Sequence, residues 1–214
     1  MCTHEPPASA AGDERQALIA DELHHRVQNT LAVVLALARL TARSVTTIEE
    51  FQVAFGDRVQ AMARTNSLLL KGRAQAVSVR TALEVELEPY LETEGQVELC
   101  CEALSISADA ALSLSLIIHE LATNAAKYGG LSTPAGHLRV GCKRGSVGGI
   151  LSWEETSPGM VSHDKIAGNG SLLIERLAGD LGGEARIDIH PTGLKAEITF
   201  RLGEPASAAE GVPA

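Results

Sequence analysis

The chain has 214 residues, 45% of them apolar, which is enough to bury one or two modest cores. A net charge of −9, no run of lysine or arginine, and only 3% aromatic residues exclude an electrostatic grip on nucleic acid or anionic lipid. The most apolar run, "ALSLSLIIHELA", is too short and too soon followed by charge to span a bilayer.

In chain order, residues 1–13 are polar and proline-containing, with no apolar signal segment, and read as a disordered N-terminus. From Glu14 the pattern is helical. Leu23, Val27, Leu31, Val34 and Ala38 recur at helical spacing and form one apolar stripe. Thr47 followed three residues later by Glu50 predicts a capping box that starts a second helix. Phe51, Phe55, Val59, Met62 and Leu69 supply its stripe. The short connection predicts an antiparallel hairpin over residues 14–72. Two helices alone bury little apolar surface, so a four-helix bundle in a homodimer is the expected completion.

The pattern changes after residue 72, and residues 73–203 read as a second domain. A helix is expected near Val79 to Thr93, a strand near Val97 to Cys101, and a strongly apolar helix from Asp109 to Tyr128. Alternating strands follow in "HLRVGCKR" and "GILSWEE", then a glycine-led helix with a glycine stop in "GNGSLLIERLAGDLGG". "EARIDIH" and "LKAEITFRL" predict a closing hairpin, and residues 204–214 have the composition of a disordered tail. The fold class expected is α+β, with an α/β sandwich whose helices lie on one face. The four cysteines, Cys2, Cys100, Cys101 and Cys142, form no C-x-x-C pair and read as reduced thiols of a cytoplasmic protein.

Two groups of residues carry candidate chemistry. In "DELHHRVQNTLAVV", His25 is two positions from both Leu23 and Val27, so it lies about 200° from each, opposite the apolar stripe. His24 falls at the edge of the stripe and reads as structural. An exposed imidazole, partly neutral near pH 7, is a competent nucleophile, although most histidines on polar faces do nothing. In "HELATNAAKYGG", Glu120, Asn124 and Lys127 share a helix face, with Tyr128 beside them. Such a face suits a magnesium–triphosphate: the amide oxygen can ligate the hard cation and the lysine can meet a phosphate. A solvent-facing polar stripe has the same spacing. Downstream, Glu155 stands at a strand end, where a carboxylate can accept the amino group of adenine. "GNGS" opens a helix whose free N–H groups favour anions.

These stretches resemble the HWE histidine kinases. "HHRVQNTLAVV" is similar to that family's phosphoacceptor box, "HELATNAAKYG" with His119 to its N box, Trp153-Glu154-Glu155 to its Trp-x-Glu signature, and "GNGSLLIERLAGDLGG" to its second glycine box. The motifs run in order from Asp21 to Leu202. The resemblance implies a dimerisation and histidine-phosphotransfer hairpin followed by a Bergerat-type ATP-binding domain. It implies autophosphorylation from ATP with Mg²⁺ and transfer to an aspartate of a response-regulator receiver domain. By position, His25 would be the phosphoacceptor, with Arg26 and Asn29 its motif partners and Glu120 on the phosphate side. Asn124 would ligate Mg²⁺; Lys127, Tyr128, Glu155, Gly168 and Gly170 would line the nucleotide.

Two departures bear on function. Thr156, Ser157, Pro158 and Gly159 stand where the family has a glycine pair and proline, which predicts nucleotide binding about tenfold weaker than in relatives that keep the glycines. Few residues precede the phosphoacceptor helix, so a separate sensor or input protein is expected. Two other readings compete: a histidine phosphotransferase that relays phosphate without using ATP, and a non-enzymatic module that binds a partner through the hairpin.

Overall fold

A computed structural model describes residues 24, 27–28, 30–43, 45–72, 76–91, 95–157 and 169–203. Helix α1 covers residues 30–43, with residues 24, 27 and 28 helical ahead of it. Helix α2 runs Ile48–Gly72 and begins at the expected capping box. The Glu50 N–H donates to Thr47 Oγ1 at 3.2 Å. Glu50 Oε2 accepts from the backbone N–H of Thr46 at 2.9 Å and of Thr47 at 3.3 Å. Those N–H groups, Thr46 foremost, hold the Glu50 carboxyl below its usual range.

On α1 the expected stripe is at most half-covered, with Val34 and Ala38 half-buried, and the buried positions of the helix lie off it. Leu37 and Thr41 are buried, whereas Val27, Leu31 and Leu35 remain 56%, 56% and 59% exposed. On α2, Arg58, Ala61, Met62, Thr65 and Leu69 are buried. The hairpin therefore already has an apolar partner within the chain: α2 packs on a later helix, and Leu37, Ala61, Met62 and Leu69 join the main core. Each buried Leu or Met there contributes roughly 1.5–3 kcal/mol before the entropy of ordering is subtracted. Part of the apolar surface for which the sequence reading looked to a second copy is thus covered within the chain. Spacing defines a face; it does not say which element covers it.

The remaining elements are β1 (Ala76–Ser78), α3 (Val79–Leu91), β2 (Val97–Cys101), β3 (Ser105–Ser107), α4 (Ala108–Tyr128), β4 (His137–Arg144), β5 (Gly149–Thr156), α5 (Asn169–Asp180), β6 (Ala185–His190) and β7 (Gly193–Phe200). Strands β1 and β3, which pair antiparallel, have no counterpart in the sequence reading. Three-residue strands are too short for alternation to show. The main sheet has the order β2-β4-β5-β7-β6, with β2 and β4 parallel and the other neighbours antiparallel.

Alternate residues of the central strands enter the core: Leu138, Val140 and Cys142 on β4, Leu151 and Trp153 on β5, Leu194, Ala196 and Ile198 on β7. Helix α4 is buried on nearly every side because it also packs against α2, α3 and α5. That position explains its continuous apolar run, since a helix covered all round needs no polar face. It starts at Ser107, whose Oγ accepts from the Ala110 N–H at 3.2 Å. Helix α5 ends in a Schellman turn. Gly182, at φ +70°, donates to Gly179 O, and Gly183 donates to Ala178 O. No helix among the described residues is long and apolar enough to cross a membrane.

Candidate nucleotide site

The second half of α4 presents its polar residues in a gradient of exposure. Glu120 is buried, Asn124 half-buried and Lys127 exposed. Gly170, in the first turn of α5, lies against the first two. A Cβ there would stand 3.6 Å from both Asn124 Nδ2 and Glu120 Oε2, an ordinary contact. The α4 face and the glycine-led start of α5, far apart in the chain, therefore meet. The first-turn amides of a helix favour an anion at its N-terminus, and Gly170 sets that end of α5 beside Glu120 and Asn124. An amide oxygen beside a carboxylate and a helix N-terminus is a hard-oxygen, anion-favouring cradle. It fits magnesium-bound triphosphate, in which phosphates and waters supply most of the metal's ligands.

Glu120 is held from the hairpin side. Arg58 Nε donates to Glu120 Oε1 and Arg58 Nη2 to Glu120 Oε2, each at 2.7 Å. The third branch, Nη1, donates to Thr41 Oγ1 at 2.7 Å. A second ionic group lies beside this one. Arg64 Nη2 donates to Glu86 Oε2 at 2.6 Å, and His119 Nδ1 stands 3.5 Å from the same oxygen. The distinctive His119 thus faces α3, away from the Glu120–Asn124 face.

Glu155 is buried, and both its oxygens are engaged by protein donors. Oε1 accepts from the Trp153 indole N–H and Oε2 from the Gly130 N–H, each at 2.8 Å. Burial pushes its carboxyl above the ordinary range, against the lowering effect of those two bonds. Through these bonds Glu155 ties β5 to the turn after α4, and it is the carboxylate the sequence reading places at adenine. The two glycines of that turn are needed for the approach: a Cβ at Gly129 would collide with Glu155 Oε2, and one at Gly130 with His137 O. Trp153 fills the core, and half-buried Tyr128 packs against it. Ser157, in the loop that departs from the family pattern, is buried and donates its N–H to Thr192 O at 3.0 Å.

Of the other sequence-derived site residues, His25, Arg26, Asn29 and Gly168 lie outside the described residues. His24 is exposed and bonded to Gln28 Nε2 through its own Nε2 at 2.9 Å. The sequence reading missed Arg58, Thr41, Arg64 and Glu86. Arg58 carried a signal: it lies three residues after Phe55 and four before Met62, inside the apolar stripe of α2. A charge set within such a stripe needs a buried partner.

A helical hairpin followed by a mixed α+β sandwich defines the chain as having a histidine-kinase fold. The histidine kinase domain of the Erythrobacter litoralis blue-light-activated histidine kinase superposes with a TM-score of 0.57 at 16% identity, covering 80% of this chain and 94% of that one. Residues 22–102 match the HWE histidine kinase family model. The chain is 31% identical over 198 residues to blue-light-activated histidine kinase 1 of Erythrobacter litoralis, which covers 90% of this chain. It is 29% identical over 189 residues to the blue-light-activated histidine kinase of Brucella anthropi. The chain spans 55% of the length of the first relative and 38% of the second.

Proposed function

We propose that the chain is a protein-histidine kinase that takes the terminal phosphoryl group of Mg-ATP onto His25 and passes it to an aspartate of a response-regulator receiver domain. The observation that carries this reading is the meeting of Glu120 and Asn124 with Gly170 at the start of α5. A metal-binding amide and an anion-binding helix end are what a triphosphate site requires, and relay without ATP would require neither.

In this mechanism Asn124 would hold the metal through its amide oxygen, and the metal would supply charge neutralisation during phosphoryl transfer. Lys127 adds a positive charge at the exposed edge of the same face, and the first turn of α5 offers its amides to the phosphates. The His25 imidazole nitrogen attacks phosphorus, ADP leaves, and the ring proton passes to a base. Residues 14–72 would serve as the phosphotransfer and dimerisation hairpin and 73–203 as the catalytic domain. The exposed row Val27, Leu31 and Leu35 would meet a second copy.

Incubation with γ-labelled ATP tests this directly. The expected product is labelled protein, acid-labile and alkali-stable, lost in His25→Ala and in Asn124→Ala but retained in His24→Ala. Full labelling of either His25→Ala or Asn124→Ala would overturn the assignment. Absence of labelling together with phosphate uptake from a phosphorylated regulator would establish the ATP-independent relay.

A further inference from the structure

Spacing along the chain pairs none of the cysteines, yet the sheet sets two of them side by side. Strand β2 pairs with β4 in parallel, and Cys101 stands directly opposite Cys142 in the register. Paired residues of adjacent strands project from the same face, and here that face is the core side. Cys142 is buried in the core and Cys101 is half-buried against it. Adjacent strands lie about 4.8 Å apart, inside the roughly 4.4–6.8 Å Cα separation that a disulfide bridges. The two thiols are reduced and hydrogen-bonded to one another.

The pair is asymmetric in the way that a reacting and a resolving thiol need to be. The hydrogen bond from Cys142 holds the Cys101 thiol below its ordinary range, against its partial burial. On α3, the Arg80 guanidinium adds to the lowering while Glu84 opposes it. Cys142 keeps its proton, because its bond to Cys101 and its burial push its thiol well up. Its Sγ also donates to Glu102 O at 3.6 Å. Cys100, exposed on the opposite face, is the thiol that accessibility alone would choose. Its Sγ donates to Glu98 Oε1 at 3.5 Å, and that bond holds the thiol above its ordinary range. Strand β2 lies at the edge of the sheet, so a small molecule from solvent can reach Cys101.

We propose that Cys101 and Cys142 are an oxidisable dithiol whose substrate is a hydroperoxide, and that its oxidation staples the edge strand β2 to β4. The Cys101 thiolate attacks the peroxide: an S–O bond forms, the O–O bond breaks, and the departing oxygen takes a proton to leave as water or alcohol. Cys101 is then a sulfenic acid. The Cys142 sulfur attacks it, the S–S bond forms, the S–O bond breaks, and the hydroxyl leaves as water with the Cys142 proton. The two thiols lose two electrons and the peroxide gains them. The loop so closed contains β3 and all of α4, the helix that carries Glu120, Asn124 and Lys127. Oxidation therefore ties together the two strands that flank this helix in the chain, whichever activity the helix supports.

The test treats the full reduced chain with hydrogen peroxide, alkylates the remaining thiols after denaturation, and sequences the peptides by tandem mass spectrometry. Expected is an intrachain Cys101–Cys142 link, reversed by dithiothreitol, with Cys100 alkylated. In Cys142→Ala, a dione probe for sulfenic acid should mark Cys101 and not Cys100, whereas Cys100→Ser should cross-link as wild type does. The unfolding constant in urea should be at least about tenfold lower for the oxidised chain than for the reduced one, a modest effect for a disulfide that closes a long loop. Cys101 linked to any other thiol, Cys100 oxidised ahead of Cys101, or no oxidation at all would each overturn the dithiol. A linked chain no more stable than the reduced one would overturn the staple. Should Cys142→Ala fail to fold, the peptides of wild type and Cys100→Ser decide alone.

Discussion

Burial and two hydrogen bonds pull the Glu155 carboxyl in opposite directions, and burial prevails, so its folded-state pKa lies above the ordinary value of 4.5. The folded protein thus binds this proton more tightly than the unfolded chain does. Its contribution to stability is complete below the unfolded pKa and is lost as pH rises through the folded one. Glu155→Gln would turn an N–H₂ toward either the Trp153 indole or the Gly130 amide, leaving a donor facing a donor, at a cost of about 1–3 kcal/mol. Since glutamine does not titrate, the deficit of the variant in urea melts should be larger near pH 4 than near pH 7. A pH-independent deficit would show that burial is not what shifts this carboxyl. Glu155 was legible in the sequence as a polar group at a strand end. Its partners were not, because Gly130 reaches it only through the turn that follows α4.

Among the elements, local chemistry was readable and partnership was not. The Thr47–Glu50 box named the start of α2, and alternation in "HLRVGCKR" gave the bounds of β4, because both signals lie within a few adjacent residues. The covering of α2 by α4 depends on residues 62 apart, Arg58 and Glu120, and no periodicity encodes such a pairing. The same limit applied to the site: the polar face of α4 was visible as a spacing, but its meeting with Gly170 required the fold. At this scale Thr47→Ala should cost about 1 kcal/mol, the usual effect of losing an N-cap hydroxyl. Val53→Ala on the same helix should stay within about 0.5 kcal/mol, because Val53 is 63% exposed. Chemical denaturation followed by circular dichroism measures both. Equal losses at the two positions would mean that the box does not stabilise the start of α2.

For the whole molecule, the row of Val27, Leu31 and Leu35 is the exposed apolar surface that the proposed dimer would cover. Helix α1 buries Leu37 and Thr41 on one side and leaves this row outward, and the outward side is where association belongs. Replacing Leu31 and Leu35 together by glutamine should give a monomer in light scattering at micromolar concentration. Thermal stability of the isolated subunit should be kept, since neither side chain is buried within it. A wild-type protein that is monomeric throughout that range would overturn the dimer.

The sheet order carries one consequence of a different kind, in the sequence of folding events. Strands β4 and β5 are joined by a short turn, as are β6 and β7, so each pair closes a small loop. Strand β2 is neighbour to β4 alone, in parallel, and the whole of α4 intervenes between them. Loop closure of that length brings no reward until α4 has formed and docked, which makes β2 the late arrival at the edge of the sheet. Leu151→Ala in β5 should slow refolding, whereas Leu99→Ala in β2 should leave refolding nearly unchanged and accelerate unfolding. Stopped-flow kinetics in urea separates the two. The parallel strand that joins last is then the first to leave, and the lifetime of the native sheet is set at its β2 edge.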